Sequence, residues 1–325
     1  MADSIRQQLL QMLEDHAENY VSGQMISETL NVSRTAIWKH VSELRKNGYE
    51  VEAVQKKGYR IVSRPDMLSK EEIGLKLTTE FLGKAIFTYP SVESTQFIAH
   101  DLAHRGAADG TIVVADEQTA GKGRLGRSWH SPSGSGIWTS LILRPKLPPQ
   151  QAPQFTLIAA VSVVHAIRKQ TGVEAEIKWP NDILINGKKV VGILTELQAE
   201  ADQIKSIIIG MGINVNAGAE DFPDDLHTAT SLKIESGHDV NRSALLAAIL
   251  NELETLYEEY LTNGFRMIKL LWESYAVSLG RRIKARTLNG VIEGLAKGIT
   301  EEGVLLLEDE SGKLHYIYSA DIEIC

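Results

Sequence analysis

The sequence predicts an α+β protein in three parts. These are an N-terminal winged helix-turn-helix, a central mixed β-sheet with helices on one face, and a small SH3-like β-barrel at the C-terminus. Three observations support this prediction. Apolar residues recur at helical spacing over residues 4–46, strand-like runs dominate the middle of the chain, and closely spaced short strands follow residue 277. We place the domains at residues 1–64, 65–276 and 277–325.

The composition is that of an ordinary globular protein. Of 325 residues, 43% are hydrophobic and 23% are charged. A net charge of −8 argues against a protein that coats nucleic acid over its whole surface. The only cysteine is Cys325, so a disulfide within the chain and a cysteine-based metal site are excluded. No run of apolar residues is long enough for a membrane span, and we expect a cytoplasmic protein.

The N-terminal part has the order helix, helix, helix, hairpin. Helical spacing covers residues 4–16, part of 21–32, and 33–46, where Ser33 is a plausible N-cap. The pattern then alternates over residues 49–54, and a basic turn and a second strand at 59–62 follow. This order is typical of a winged helix-turn-helix.

Positive charge collects on the second half of that domain. Residues 34–64 contain eight basic and three acidic residues, whereas residues 1–33 contain one basic and five acidic residues. The recognition helix and wing are where DNA phosphates would lie. We therefore predict DNA binding by Arg34, Thr35, Trp38, Lys39, Lys56 and Lys57. A winged helix used only for protein contacts is the alternative, and Trp38 is equally compatible with a core position.

The central part begins after a linker around Pro65. We predict helices at 69–80, 155–170 and 243–262, with strands between them and an Asn-Gly hairpin turn at Asn186. At the end of one strand, Ser94, Thr95 and Gln96 precede a helix, so their polar groups face a ligand or merely cap that helix. Two glycines interrupt the strand at 206–216, which often marks close approach of a ligand or backbone.

A glycine-rich cationic loop stands out at residues 121–127. Three glycines alternate with Lys122, Arg124 and Arg127. Such a loop is expected to close over an anionic small molecule. Its glycines also match the dinucleotide fingerprint, but the Ser- and Gly-rich stretch that follows cannot start the required helix. A basic surface hairpin without a ligand is the other alternative.

Four motifs, in order along the chain, resemble those of one family. The loop Gly121–Arg127 is similar to Gly-Arg-Gly-Arg-x-Gly-Arg, and residues 178–182 read Lys-Trp-Pro-Asn-Asp. Residues 189–194 match Lys-x-x-Gly-Ile-Leu, and residues 210–214 match Gly-x-Gly-Ile-Asn. The chain resembles the bifunctional biotin protein ligases that also repress the biotin operon, of the BirA type. It departs from the pattern at Lys122, where arginine is commoner, and at Gln96, where asparagine is common.

The resemblance implies a class II synthetase-like central sheet and a two-step reaction. Biotin and ATP form biotinyl-5′-adenylate, and a lysine of a biotin carboxyl carrier protein then takes the biotin. ATP, biotin and Mg²⁺ are the implied cofactors, although the resemblance identifies no residue that binds the metal. The adenylate is the implied corepressor, with ordering of the 121–136 loop favouring a homodimer on operator DNA.

The resemblance also implies roles for single residues. Lys189 and Arg124 are the expected catalytic residues, one at the biotin carboxylate and the other holding the adenylate. The expected biotin and adenylate ligands are Ser94, Thr95, Gln96, Gln118, Lys122, Gly123, Arg124 and Lys189. Arg127, Trp129, Asn181 and Asn214 are expected on the nucleotide side. A lipoate–protein ligase is an alternative enzyme, and a transcription factor that only senses a ligand is an alternative of another class.

Overall fold

The computed structural model describes residues 2–200, 203–224 and 226–325. It contains two compact units, Met1–Lys76 and Leu77–Cys325. The first is a winged helix-turn-helix, and the second joins a mixed sheet with helices to a small C-terminal β-domain. The predicted fold class is therefore confirmed. The domain boundaries at 64 and 276 stay predictions, and the first compact unit runs on to Lys76.

The winged-helix unit contains helices and strands in the predicted order. They are α1 (Ala2–Glu14), α2 (Gly23–Leu30), α3 (Arg34–Lys46), β1 (Glu50–Val54), β2 (Gly58–Ser63) and α4 (Lys70–Lys76). The hydroxyls of Ser22 and Ser33 accept hydrogen bonds from the backbone N–H groups of the first turns of α2 and α3. These side chains satisfy donors that have no partner within a helix, which explains where both helices begin.

One apolar face of α3 holds this unit together. Ile37, Val41 and Leu44 are fully buried and pack in one cluster with Leu10 of α1 and Ile26 of α2. The spacing of these α3 residues follows the helical period, so the remaining positions of the helix are turned outward. The helix predicted from the apolar spacing of residues 33–46 is therefore correct.

Helix α4 is held within the winged-helix unit by a buried carboxylate. Glu72 is only 4% exposed; its Oε1 accepts from the Tyr49 hydroxyl at 2.7 Å and from Arg64 Nη1 at 3.0 Å. Burial, followed by the hydrogen bond to Glu72, raises the pKa of Tyr49. Ser69 caps α4, since its Oγ accepts from the Glu72 N–H at 3.1 Å. The helix ends at Lys76 rather than at the predicted residue 80.

The second unit is built on a seven-stranded sheet. Its strands are β3 (Ile86–Val92), β4 (Ile112–Gln118), β5 (Gly136–Leu143), β6 (Glu176–Lys178), β7 (Asp182–Ile185), β8 (Lys188–Glu200) and β9 (Gln203–Asn214). The order across the sheet is β3-β4-β5-β9-β8-β7-β6. Strands β3 and β4 are parallel, and every other pair is antiparallel. The predicted Asn-Gly turn joins β7 to β8, with positive φ at Asn186 and Gly187.

Helices cover the sheet and one another. They are α5 (Thr95–His104), α6 (Ala152–Thr171), α7 (Leu232–Ser236), α8 (Arg242–Asn263) and α9 (Arg266–Tyr275). Helix α6 is the buried helix predicted from the sequence, and it packs on the sheet and against α8. Helices α7 and α9 were not predicted. None of the helices in the described ranges has the length and apolar character to span a membrane.

The C-terminal part is an antiparallel five-stranded sheet. It contains β10 (Arg282–Thr287), β11 (Gly290–Ile299), β12 (Leu305–Glu308), β13 (Leu314–Ile317) and β14 (Asp321–Ile324). The strand order is β13-β12-β11-β10-β14. Four of these strands follow the predicted pattern, whereas β14 was not predicted. It pairs with β10, so the last residues of the chain return to the first strand of this domain.

An ion pair between a buried arginine and a half-buried aspartate fixes the beginning of β5. Arg242 is 3% exposed, and its Nη1 donates to Asp116 Oδ1 at 2.8 Å and to the Gly136 carbonyl at 3.1 Å. Burial of Asp116 opposes ionisation, but hydrogen bonds from Ser133 and Arg242 outweigh it and hold the pKa of the carboxyl below its ordinary value. Asp116 of β4 thus accepts hydrogen bonds both from Arg242 of α8 and from Ser133 of the Gly/Ser-rich segment that follows the cationic loop.

We expect Asp116→Asn to lower the free energy of unfolding by about 1 to 3 kcal/mol at neutral pH, because a buried guanidinium loses its charged acceptor. The folded-state pKa of Asp116 lies below its ordinary value of 3.8. Its contribution is therefore present above that value and is lost as the pH falls through the folded-state pKa. The difference between variant and wild type should shrink in urea titrations carried out below this pH.

The matched control is Asp101→Asn. Asp101 forms an exposed i,i+4 ion pair with Arg105, and such pairs contribute about 0.5 kcal/mol or less. If the difference in the free energy of unfolding between Asp116→Asn and wild type stays constant with pH, the role assigned to this ion pair is contradicted.

Candidate functional site

A cavity of about 370 Å³ lies against strands β8 and β9 of the second unit. This volume is within the range of pockets that hold small molecules and cofactors. The structure brings every residue predicted to bind biotin, adenylate or nucleotide to the lining of this cavity. These are Ser94, Thr95, Gln96, Gln118, Lys122, Gly123, Arg124, Arg127, Trp129, Asn181, Lys189 and Asn214.

The cationic loop forms one wall as a tight hairpin. The Gly123 N–H donates to the Arg127 carbonyl at 2.7 Å, and the Trp129 N–H donates to the Gly121 carbonyl at 2.9 Å. At its tip, Leu125 is 69% exposed and has a φ of 57°, a conformation that is uncommon for residues other than glycine. No α-helix follows the third glycine, so the dinucleotide fingerprint is a coincidence of spacing, as predicted.

Arg124 presents a half-buried positive charge to the cavity. Its Nη1 donates to Asn181 Oδ1 and its Nη2 to Ser319 Oγ, both at 3.0 Å. Both partners are neutral, and no carboxylate of the described residues forms an ion pair with this guanidinium. Burial lowers its pKa, and the nearby Asp321 and Asp182 oppose that shift. A half-buried cation that forms no ion pair with the described residues favours an anionic ligand.

Lys189 supplies a second cation on the strand side of the cavity. Its Nζ lies 2.6 Å from Asp182 Oδ1 and 5.2 Å from the centroid of the Trp129 ring. The ion pair is close, yet Asp182 Oδ1 has no hydrogen bond of good geometry in the described part of the chain. The backbone of Lys189 is hydrogen-bonded to Thr228 and Thr230, so the segment after β9 also positions this lysine.

Two glycines make room for the Trp129 indole. Gly192 of β8 and Gly212 of β9 are direct cross-strand partners. A Cβ at Gly212 would lie 2.4 Å from Trp129 Nε1, and one at Gly192 would lie 2.8 Å from Cζ3 of the same ring. Real Cβ atoms do not approach so closely, so these two positions require glycine. Gly212, one of the two glycines predicted to mark close approach of a ligand or backbone, is instead approached by a side chain, and Gly192 faces the same ring.

The opposite wall carries uncharged polar groups. Gln118 Oε1 accepts from the Thr95 N–H at 2.9 Å and lies 3.1 Å from Thr95 Oγ1. Gln118 Nε2 donates to Ser131 Oγ at 3.0 Å. Gln96 also lines the cavity, but its amide is already hydrogen-bonded to Ser140 and to backbone carbonyls of β8 and β9.

Some residues at the site were not predicted from the sequence. They are Asp182, Ser140, Ser319 and Asp321. Asp182 belongs to the Lys-Trp-Pro-Asn-Asp motif, which was a usable signal. The two C-terminal residues had none: Asp321 forms an ion pair with Arg127, although 194 positions separate them.

Residues 2–200, 203–224 and 226–325 contain no cluster of three or more His, Cys, Asp or Glu side chains that would hold a metal ion. Mg²⁺ is often bound by one or two carboxylates together with phosphate oxygens of the substrate. Asp182, with a buried oxygen that lacks a hydrogen bond, fits such a shared site. A magnesium ion that arrives with a nucleotide is therefore compatible with this cavity.

The surface of the winged-helix unit carries the residues predicted to bind DNA. Arg34, Thr35, Trp38, Lys39, Lys56 and Lys57 are all exposed. Trp38 is 60% exposed, so it is not a core residue. Arg34 lies beside Lys56 and Lys57 along one concave surface between α3 and the wing. Lys57 and Arg60 lie over the Tyr20 ring, at 5.6 and 4.9 Å from its centroid.

Three regions match known protein families. Residues 5–60 match an HTH domain, residues 88–214 match the biotin/lipoate A/B protein ligase family, and residues 278–324 match the biotin protein ligase C-terminal domain. These regions correspond to the winged helix, to most of the seven-stranded sheet, and to the terminal β-domain.

Similarity to individual proteins extends over the whole chain. The bifunctional ligase/repressor BirA of Bacillus spizizenii is 54% identical over 325 residues, 100% of both chains. BirA of Escherichia coli is 30% identical over 89% of this chain and 88% of its own. A biotin protein ligase of Aquifex aeolicus, solved with biotin and ATP, superposes with a TM-score of 0.64 at 32% identity, covering 74% of this chain and 99% of that one. The chain belongs to the BirA family of bifunctional biotin ligase/repressors.

Proposed function

We propose that this cavity makes biotinyl-5′-adenylate from biotin and ATP, with release of pyrophosphate. A lysine of a biotin carboxyl carrier protein then attacks the mixed anhydride and takes the biotin, releasing AMP. One observation carries the proposal: Arg124, with only neutral hydrogen-bond partners, and Lys189 supply two cations to a single cavity. The biotin carboxylate and the ATP phosphates are anions that repel one another, so bringing them together requires such charges.

Each cation has its own task in this proposal. Lys189 attracts the biotin carboxylate and the charge that develops where it joins the α-phosphate. Arg124 holds the finished adenylate from the loop side, and the closed hairpin excludes water, which would otherwise hydrolyse the anhydride. Arg127, now paired with Asp321, meets phosphate on the nucleotide side.

The neutral groups orient the two substrates. Ser94, Thr95 and Gln118 face the ureido ring of biotin, and Lys122 and Gly123 close over it. Asn181, Asn214 and Trp129 lie on the nucleotide side, where the indole offers a face for adenine. Asp182 would hold a Mg²⁺ ion shared with the ATP phosphates, and that ion would neutralise phosphate charge.

The winged helix gives the same chain its second activity. We propose that it binds operator DNA of biotin genes through α3 and the wing, with biotinyl-5′-adenylate as corepressor. A homodimer formed by the adenylate-bound protein would place two winged helices on two half-sites. Ordering of residues 121–136 around the adenylate is the proposed trigger for dimer formation. The cytoplasmic location of the protein stays a prediction.

Arg124→Gly is expected to release the adenylate about ten to a hundred times faster, because hydrogen bonds from a charged donor are lost. The fold should persist, since the hydrogen bonds of this side chain in the described part of the chain are to two neutral side chains, Asn181 and Ser319. Free adenylate should then label lysines of unrelated proteins nearby. Stopped-flow release of adenylate measures the effect, with Arg105→Gly, an exposed arginine outside the cavity, as control. Unchanged retention of adenylate would refute the holding role.

Lys189→Ala should reduce biotin-dependent pyrophosphate release by about 10²- to 10³-fold, as loss of one preorganised charge does in other active sites. Its neighbour Lys188 is exposed and does not line the cavity, so Lys188→Ala is the matched control. Wild type incubated with ATP, biotin and a carrier domain should give a labelled carrier on a streptavidin blot. Normal pyrophosphate release by the Lys189 variant would rule out an essential charge.

Lys56→Ala and Lys57→Ala should weaken operator binding. Each should also make the negative slope of log affinity against log salt concentration shallower by about 1, because each removes one phosphate contact. Footprints with and without biotin plus ATP test the corepressor in the same assay. Lys70→Ala, an exposed lysine on α4, is the control. Pyrophosphate release should be unchanged in all three variants, and an unchanged salt slope in both wing variants would exclude the wing from the DNA contact.

A further inference from the structure

A tyrosine ring at the base of the wing lies against two cations of the winged-helix unit. The Tyr20 side chain is half-buried, with the Arg60 guanidinium 4.9 Å and the Lys57 ammonium 5.6 Å from the centroid of its ring. A cation at this distance from an aromatic face is attracted by the negative charge density of the ring. The ring therefore restrains both side chains.

The backbone brings Tyr20 to this place. Its neighbour Val21 exchanges two backbone hydrogen bonds with Tyr59 of β2, both at 2.9 Å. Gly58, which precedes Tyr59, has a φ of 120°, and a Cβ there would lie 2.0 Å from the Val21 carbonyl oxygen. Only glycine permits this approach, so the segment before α2 is held against the wing and its tyrosine lies beside the wing cations.

The charge of Arg60 is balanced within the protein. Its Nη2 donates to Glu52 Oε2 at 2.9 Å, and the two residues are direct partners across β1 and β2. A hydrogen bond from Tyr20, followed by the one from Arg60, holds the pKa of Glu52 below its ordinary value. Arg60 and Glu52 therefore fix the position of the Tyr20 ring.

Lys57 is the cation that faces the surface predicted to bind DNA. It is exposed, and it lines the concave surface between α3 and the wing together with Arg34 and Lys56. An ammonium group has three N–H donors, so contact with the ring on one side leaves donors for a phosphate on the other. Lys57 can therefore contact the Tyr20 ring and a DNA phosphate at the same time.

A lysine side chain that is restrained before binding loses less conformational entropy when it meets a phosphate. We infer that Tyr20 is a positioning residue for DNA binding: its ring holds Lys57 at the edge of the concave surface, ready for a phosphate of the duplex. Tyr20 thus acts through Lys57. This inference rests on the proposed function, in which the wing contacts operator DNA.

Tyr20→Leu tests the inference because leucine keeps an apolar side chain and removes the ring. With biotin and ATP present, affinity for the duplex protected in the footprint should fall about threefold to tenfold, the range for a cation–π contact that loses water on binding. Tyr20→Phe keeps the ring and should stay within about twofold of wild type. Tyr316→Leu, an exposed tyrosine of the terminal β-domain, is the matched control. A loss in Tyr20→Phe equal to that in Tyr20→Leu assigns the effect to the hydroxyl and overturns the inference.

A double-mutant cycle between Tyr20 and Lys57 separates positioning from a general structural role. In the Lys57→Ala background the ring has no ammonium to hold, so adding Tyr20→Leu should change DNA affinity by less than about twofold. A merely structural role of Tyr20 predicts the same fractional loss in both backgrounds. An equal loss overturns the inference, whereas a loss confined to the chain that carries Lys57 supports it.

Nuclear magnetic resonance of the wild-type chain provides a test that does not depend on the affinity measurements. After reductive methylation of the lysines with isotope-labelled methyl groups, the Lys57 resonance should lie upfield of the Lys56 resonance, because protons above a ring face are shielded. Lys57→Arg and Lys56→Arg assign the two resonances. Identical positions of the two resonances overturn the inference.

The same variants distinguish failure of this inference from failure of the proposed function. If Lys56→Ala and Lys57→Ala leave operator affinity and its salt dependence unchanged, the wing does not contact the DNA, and the proposed DNA contact and the inference both fail. If Lys57→Ala weakens binding but Tyr20→Leu has the same effect with and without Lys57, only the inference fails.

Discussion

The site depends on the antiparallel register between β8 and β9. This register places Gly192 opposite Gly212 and Leu194 opposite Gly210. Two motifs that lie about 20 positions apart in the chain thereby form one surface, on which three of these four residues are glycines. The indole of Trp129 and the amide of Gln96 occupy the space so created. A slip of one residue would turn every side chain of either strand to the other face of the sheet.

Electrostatics explains why a protein with net charge −8 has a cavity suited to anions. The charge that matters is local. Arg124 lies in the cavity wall with neutral partners, and Lys189 has one carboxylate partner in Asp182. A cation that is partly removed from water and not paired within the protein gains most from an anionic ligand. Charge is also distributed unevenly in the winged helix, because its basic residues are concentrated on α3 and the wing.

The cationic loop is connected to the C-terminal β-domain. Arg124 donates to Ser319, and Arg127 pairs with Asp321 at the start of β14. The terminal domain therefore contributes Asp321 to the wall of the cavity and Ser319 as a hydrogen-bond partner of the loop. Under the proposed function, a phosphate bound by Arg127 would compete with Asp321 for the same guanidinium.

The sequence by itself determined the three-part architecture, the family and many of the residues that line the cavity. Local signals suffice for these: Ser33 caps α3, Asn186 and Gly187 form a hairpin turn, and short motifs contain most of the predicted site residues. Only the tertiary structure decided which of those side chains are hydrogen-bonded or paired within the protein. Gln96 is hydrogen-bonded inside the protein, Trp38 is exposed, and Asp321 reaches Arg127 from the far end of the chain. These outcomes depend on contacts between segments remote in sequence, for which composition and periodicity carry no signal.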